Sequence, residues 1–260
     1  MQKVESGMNE PAPEPTDVSA EQPISQVPTG MHPAGRFLGM IVAGAVATSL
    51  AYTAVAGVGD VHLLPEEFMN LGGMPTPEEM AAANAAQFAT NTGNAMVWLG
   101  ITGAILGGVL ALATGLLRRA GMGIVIGTVA GILAGGGLGY LAGNLAVSNH
   151  ASLQVSVNGP SSQLEQQIMV LHGITWGIIG VGVGVGAGLA RRTITVRSLL
   201  VSVIVAGTMG CVAGGVFPII AGVAAPLENA VLPVTAHGTG RIIWMGLASL
   251  LIAGGLGRAD

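Results

Sequence analysis

Apolar residues run without an interior charge through six stretches, Phe37–Ala56, Ala95–Leu117, Gly121–Val147, Ile168–Ala190, Leu199–Val223 and Ile242–Gly257. A helix needs about 20 predominantly apolar residues to cross a bilayer, or about 17 at the short end. The first five stretches meet that length, and the sixth reaches it by recruiting Thr239 to Arg241, with the Arg241 side chain expected to snorkel outward. A charge at the centre of a span costs about 2.5–3.5 kcal/mol on insertion scales, which is why none appears there. The pattern predicts an all-α membrane protein with six transmembrane helices.

The polar positions between the spans carry opposite charges on alternate sides. Lys3 and Arg36 precede span one, Arg118 and Arg119 join spans two and three, Arg191, Arg192 and Arg197 join spans four and five, and Arg258 follows span six. The other loops hold Asp60, Glu66, Glu67, Glu78, Glu79, Glu165 and Glu228, with Arg241 as their only strong base. Retention of positive loops in the cytoplasm then places both termini inside, in a plasma (inner) membrane of bacterial type. Trp98, Trp176 and Trp244, with Tyr52, Tyr140 and Phe217, lie in the outer parts of the six spans, where an aromatic belt is expected, although Trp176 is deeper than a belt residue should be unless span four begins late.

Within span three, Gly123, Gly127, Gly131, Gly135, Gly139 and Gly143 recur at every fourth position, a glycine-zipper pattern. Small residues let helix backbones approach closely in lipid, where no hydrophobic drive separates helix from solvent. Four residues turn a helix by about 400°, so each step drifts by about 40° and five steps sweep about 200°. One parallel neighbour cannot follow that row. Either the partner crosses right-handedly or the two ends of the stripe serve different neighbours, and span four offers Gly180, Gly184 and Gly188 as a matching surface.

Spans two and four are related by an internal repeat. Met96–Arg119 and Met169–Arg192 align without gaps at an offset of 73 and share 11 of 24 residues, including Gly-Ile-Thr and a closing Gly-Leu-x-Arg-Arg. Span six ends on Gly255-Leu256-Gly257-Arg258, the same inner signature. These matches predict three tandem helical hairpins, spans 1–2, 3–4 and 5–6, in one orientation and arranged with pseudo-threefold symmetry.

Composition agrees with a lipid environment: of 260 residues, 51% are hydrophobic, 8% charged and 43 are glycine. Soluble domains carry about 25% charged residues. Residues 1–35 form a different zone, with Glu5, Glu10, Glu14, Asp17 and Glu21 among six prolines, and are expected to be a disordered acidic cytoplasmic tail ahead of a transmembrane domain over 36–260. Ala54-Val55-Ala56 resembles a signal-peptidase site, but span one is long for a signal core and follows an acidic segment, so an uncleaved helix is favoured. In the first outer loop, Thr76-Pro77-Glu78-Glu79 forms a capping box that should start a helix over Pro77–Ala89, lying on the interface or capping the bundle. Leu153, Val155 and Val157 alternate as in a short extended piece, and Ser162-Gln163-Leu164-Glu165 is a second capping box.

Chemistry is sparse. The single cysteine, Cys211, lies mid-span as a small packing residue. His62, His150 and His237, with Asp60 and Glu66, lack any paired metal-ligand spacing, and the Gly-x-Gly runs at Gly182–Gly186 and Gly137–Ala142 lie mid-span, away from any strand that would make them nucleotide loops. No catalytic residue, metal or cofactor is expected, and no nucleic-acid partner. His172, Thr175 and Thr102 are the candidate pathway residues, with Thr128, Thr208, Ser202 and Asn144 as further hydroxyl or amide groups. Two functions fit: passive or facilitated passage of a small solute, as the first choice, and a non-catalytic scaffold or assembly subunit. The expected partners are the lipid bilayer and a second copy or a second membrane subunit. A polar cavity holding His172 or Thr175 would favour passage; a dry, closed bundle with an exposed small-residue face would favour assembly.

Overall fold

The computed structural model describes residues 31–69, 74–156, 161–224, 234 and 238–259. Among these the regular structure is all helical, with no strand: α1 Pro33–Val58, α2 Glu66–Met69, α3 Pro77–Leu117, α4 Met122–Ser156, α5 Ser161–Leu189, α6 Val196–Ala224 and α7 Gly238–Arg258. All but the short α2 are long and apolar enough to cross a membrane, six in number. The helices belong to one compact unit, Met31–Asp260. Residues 1–30 of the expected disordered tail lie outside the described residues, and so do Glu228 and His237.

Each helix outruns its apolar stretch, and the overhangs have local causes. Pro33 opens α1 behind the N-cap His32, whose Nδ1 accepts the Ala34 amide, so residues 33–35 belong to the helix. Gly59 ends it at φ 62°, where a side chain would be strained. At the start of α3, Thr76 Oγ accepts the Glu79 amide (3.2 Å) and the Glu79 carboxylate accepts the Thr76 amide (2.7 Å), completing the predicted capping box.

Two expectations about the loops are corrected. The helix begun at Pro77 does not stop at Ala89 and lie beside the bundle; it continues into span two as one 41-residue helix, about 60 Å long at about 1.5 Å per residue. Thr90 to Asn94 contain weak helix formers but no proline, so nothing removes a ladder hydrogen bond there. Of the alternating residues, Leu153 and Val155 lie in the last turns of α4, not in an extended piece, because helix propagation from the long apolar run costs less than starting an isolated strand, and Val157 lies outside the described residues.

The packing has an inner and an outer set. Helix α3 touches α5, and both touch α7 more lightly; α1 packs on α3 and α7, α4 on α3 and α5, and α6 on α5 and α7. Accordingly 50%, 67% and 50% of the α3, α5 and α7 spans is buried, against 33%, 22% and 33% for α1, α4 and α6. The most extensive contacts are α3 with α4 and α5 with α6. The fully buried side chains include Leu99, Leu106 and Leu110 of α3, Trp176, Ile179 and Val183 of α5, and Trp244, Met245 and Ile252 of α7. Large apolar residues such as Val42, Val125, Leu133, Ile204 and Val212 point outward, as a lipid solvent allows.

Backbone-to-backbone approaches mark the closest crossings. A methyl group built on Gly131 or Gly135 of α4 would collide with the carbonyls of Gly107 or Gly103 of α3, and the reverse holds. On Gly139 and Gly143 it would meet the carbonyls of Leu99 and Ala95, also on α3. At the other end of the row, Gly123 and Gly127 abut Arg191 and Ala190 beyond and at the end of α5. Span four's surface toward α4 is Gly182 and Gly186, whereas Gly180, Gly184 and Gly188, the surface expected to meet span three, abut Ala206, Ser202 and Leu199 on or beside α6. Two residues turn a helix by about 200°. The run Gly182-x-Gly184-x-Gly186 therefore serves opposite faces of a helix wedged between two neighbours.

Candidate functional site

The three candidate pathway residues are buried, and their polar atoms are engaged within the bundle. Thr102 Oγ donates to Trp98 O and Thr175 Oγ to Leu171 O, each at 2.8 Å and each one turn back along its own helix. His172, 1% exposed, accepts the Trp244 indole N–H on Nδ1 at 3.1 Å, which places the neutral ring's proton on Nε2. The further candidates do not converge on the axis. Asn144 and Thr208 are exposed, Ser202 lies at the opposite end beside Arg191, and Thr128 Oγ has no hydrogen-bond partner among the described residues.

Around His172 the rings close the bundle. Trp176 and Trp244 meet edge to face at 5.0 Å, His172 and Phe217 at 5.2 Å, and His172 and Trp244 at 6.0 Å. Such pairs add about 0.5–1.5 kcal/mol each beyond area burial. Trp176, Trp244 and Phe217 are therefore core residues and not part of a headgroup belt, a correction whose cause is mutual packing plus an internal acceptor for one indole. Trp176 Nε1 meets no hydrogen-bond partner among the described residues although fully buried.

The repeated Gly-Leu-x-Arg endings meet at one end of the bundle. Arg118 and Arg191 both donate to Ala259 O, at 2.7 and 3.2 Å, and Arg191 also donates to Ser202 Oγ at 3.1 Å. Arg258 sits over the Phe37 ring at 4.7 Å. Two repeat arginines thus hold the end of the helix that carries the third.

At the end away from these arginines a cavity of about 610 Å³ opens between the loop after α1, the overhang of α3 and the end of α4. One face of α3 lines it with Asn84, Gln87, Asn91, Asn94 and Trp98, spaced three and four residues apart. The loop is fastened to that face. The Asn94 carboxamide accepts the His62 amide (2.8 Å) and donates to His62 O (2.9 Å), and Trp98 Nε1 donates to Gly59 O (2.8 Å). The His62 ring fills the space a side chain at position 93 would need, so Gly93 sits inside a helix for a packing reason. Asp60, His62 and His150 share the cavity, yet among the described residues no three His, Cys, Asp or Glu side chains come together as a metal site.

Arg241 stands behind this wall. It is 4% exposed and lies over the Trp98 ring at 4.7 Å, with Tyr52 and Asp60 near enough for their charges to act on it. The expected outward snorkel does not occur, because the indole face and the neighbouring carboxylate offer the guanidinium an environment inside the protein. The carboxamide row on α3 was missed in the sequence; the signal for it was the 3–4–3–4 spacing of Asn84, Gln87, Asn91, Asn94 and Trp98. The chain matches no protein-family model, no curated protein and no solved structure.

Proposed function

We infer that the chain is a non-enzymatic assembly subunit of an inner (plasma) membrane, with its arginine turns and both termini in the cytoplasm. Its partner is a second copy or another membrane subunit. The observation that carries this reading is on α1, where Ala45, Ser49, Thr53 and Gly57 form an exposed row at every fourth position. Ser49 and Thr53 donate to Ala45 O and Ser49 O, so the row presents no unmet hydroxyl to lipid, and a methyl group on Gly57 would meet open space. Small rows of this kind let helices associate in lipid. The glycine row of α4 is the same device used internally, and we read it as what seals α4 between α3 and α5.

Three tandem hairpins about a pseudo-threefold axis fit the alternation of inner α3, α5 and α7 with outer α1, α4 and α6, with the extensive α3–α4 and α5–α6 contacts then falling between hairpins. Rings and branched aliphatic side chains fill that axis, which favours assembly over passage. Passage of a small solute is the second reading, favoured by the cavity that ends at Trp98. His172, Thr175 and Thr102 would line such a path only after the inner helices part.

Cysteine cross-linking in native membranes tests the choice. In a Cys211→Ala background, Ser49→Cys should form an intermolecular cross-link, and Ser49→Leu should lower the oligomeric state without loss of thermal stability. A monomer in nanodiscs, with no cross-link from positions 45, 49 or 53, would overturn the assembly reading.

A further inference from the structure

The cavity beside α3 has a chemistry of its own, independent of the assembly reading. Its volume, about 610 Å³, lies in the range of about 300–1,000 Å³ usual for small-molecule sites. Among the described residues that line it, Asp60 is the only Asp, Glu, Lys or Arg side chain, and its charge acts on Arg241 behind Trp98. No lysine or arginine among them matches an anion, and the one carboxylate has a guanidinium in its neighbourhood. Its remaining polar groups are carboxamides, imidazoles and a hydroxyl: Asn84, Gln87, Asn91, His62, His150 and Thr90.

Carboxamides both donate and accept, which is the requirement for binding hydroxyl groups that do the same. The Gln87 amide donates to Asn91 Oδ1 at 2.8 Å, leaving the Asn91 NH₂ directed by that bond and Gln87 Oε1 as an acceptor beside it. Two aromatic rings, Phe88 and Trp98, supply flat apolar surfaces in the same cavity. Alternating hydroxyls and C–H faces on one molecule would satisfy both sets of groups together. The wall is also fixed in advance, because Asn94 and Trp98 tie the opposing loop at His62 and Gly59, so little ordering remains for a ligand to impose. We propose that this cavity binds an uncharged polyhydroxylated solute, a mono- or disaccharide, stacked on Phe88 or Trp98 and hydrogen-bonded by Asn84, Gln87 and Asn91.

The intact protein in lipid nanodiscs, free of glycoside detergent, can be titrated with maltose while indole fluorescence is followed. Trp176 and Trp244 are at most 1% exposed, so Trp98 is the indole placed to respond. Maltose should give a saturable change in the millimolar range. Asn91→Ala and Asn84→Ala, both exposed positions, should each weaken it by about threefold to tenfold while leaving the thermal midpoint unchanged. Gluconate and glucosamine, anionic and cationic sugar analogues, should bind more weakly than glucose. No saturable change with either neutral sugar, wild-type affinity in both variants, or tighter binding of a charged analogue would each overturn the proposal.

Discussion

Replacing Gly131 by alanine places one methyl group at the closest crossing of α3 and α4. The added carbon would collide with Gly107 O, lie 2.7 Å from Gly107 C and 3.2 Å from the Ala111 methyl. Ordinary contact begins near 3.4 Å, so the two helices must part by about 1 Å. A radial gap of about 0.5–1 Å forfeits about a quarter to a half of each pairwise dispersion well. Gly103, Gly107, Gly135, Gly139 and Gly143 share that interface, so the loss extends along it. Overpacking of this kind costs about 1–3 kcal/mol. Against it stands a gain in helix propensity of about 1 kcal/mol for Gly→Ala. The balance is a net loss of about 0–2 kcal/mol. Gly137 supplies the control on the same helix: it is exposed and a methyl group there meets nothing, so Gly137→Ala should be neutral or stabilising by up to about 1 kcal/mol. Unfolding in mixed micelles with increasing SDS compares the two variants directly. If Gly131→Ala is as stable as Gly137→Ala, close backbone contact is not what holds α3 to α4.

Other perturbations test other contacts. His172→Leu removes the acceptor of the buried Trp244 N–H and should cost about 1–3 kcal/mol, part of which His172→Gln recovers; equal stability of His172→Leu and wild type would contradict the bond. Asn94→Leu unpairs both backbone groups of His62 and should abolish the hydrogen-exchange protection of that amide, at a stability cost of about 1–2 kcal/mol; unchanged exchange would show the loop is held elsewhere. Thr102→Val and Thr175→Val should leave stability within about 1 kcal/mol and solute permeability of proteoliposomes unchanged, since both hydroxyls bond their own helices. A permeability change in either variant would favour passage over assembly.

The six helices were legible because membrane insertion imposes length and charge rules that single residues cannot evade. The drift of about 40° per step left two arrangements of the glycine row open, one right-handed crossing or two neighbours, and the sequence did not choose between them. What escaped was set by contacts distant in sequence. Nothing near Thr90–Asn94 announces that the helix from Pro77 runs unbroken into span two, with Gly93 accommodating the His62 ring. Aromatic position along a span suggests a belt for Trp244 and Phe217, but burial depends on which side of the helix faces the bundle, and that is fixed by how the helices meet one another. Arg241 is buried for the same reason: Trp98 and Asp60 come from two other segments. None of His172, Thr175 and Thr102 lines the cavity, and its carboxamide face lies in the segment expected to rest on the interface or cap the bundle.

Membrane-impermeant thiol labelling of intact cells tests the central claim, six lipid crossings with the arginine turns held at one surface. In a Cys211→Ala background, Glu78→Cys should label from outside, and Arg119→Cys only after the membrane is opened. Labelling of both positions in intact cells, or of neither, would contradict it.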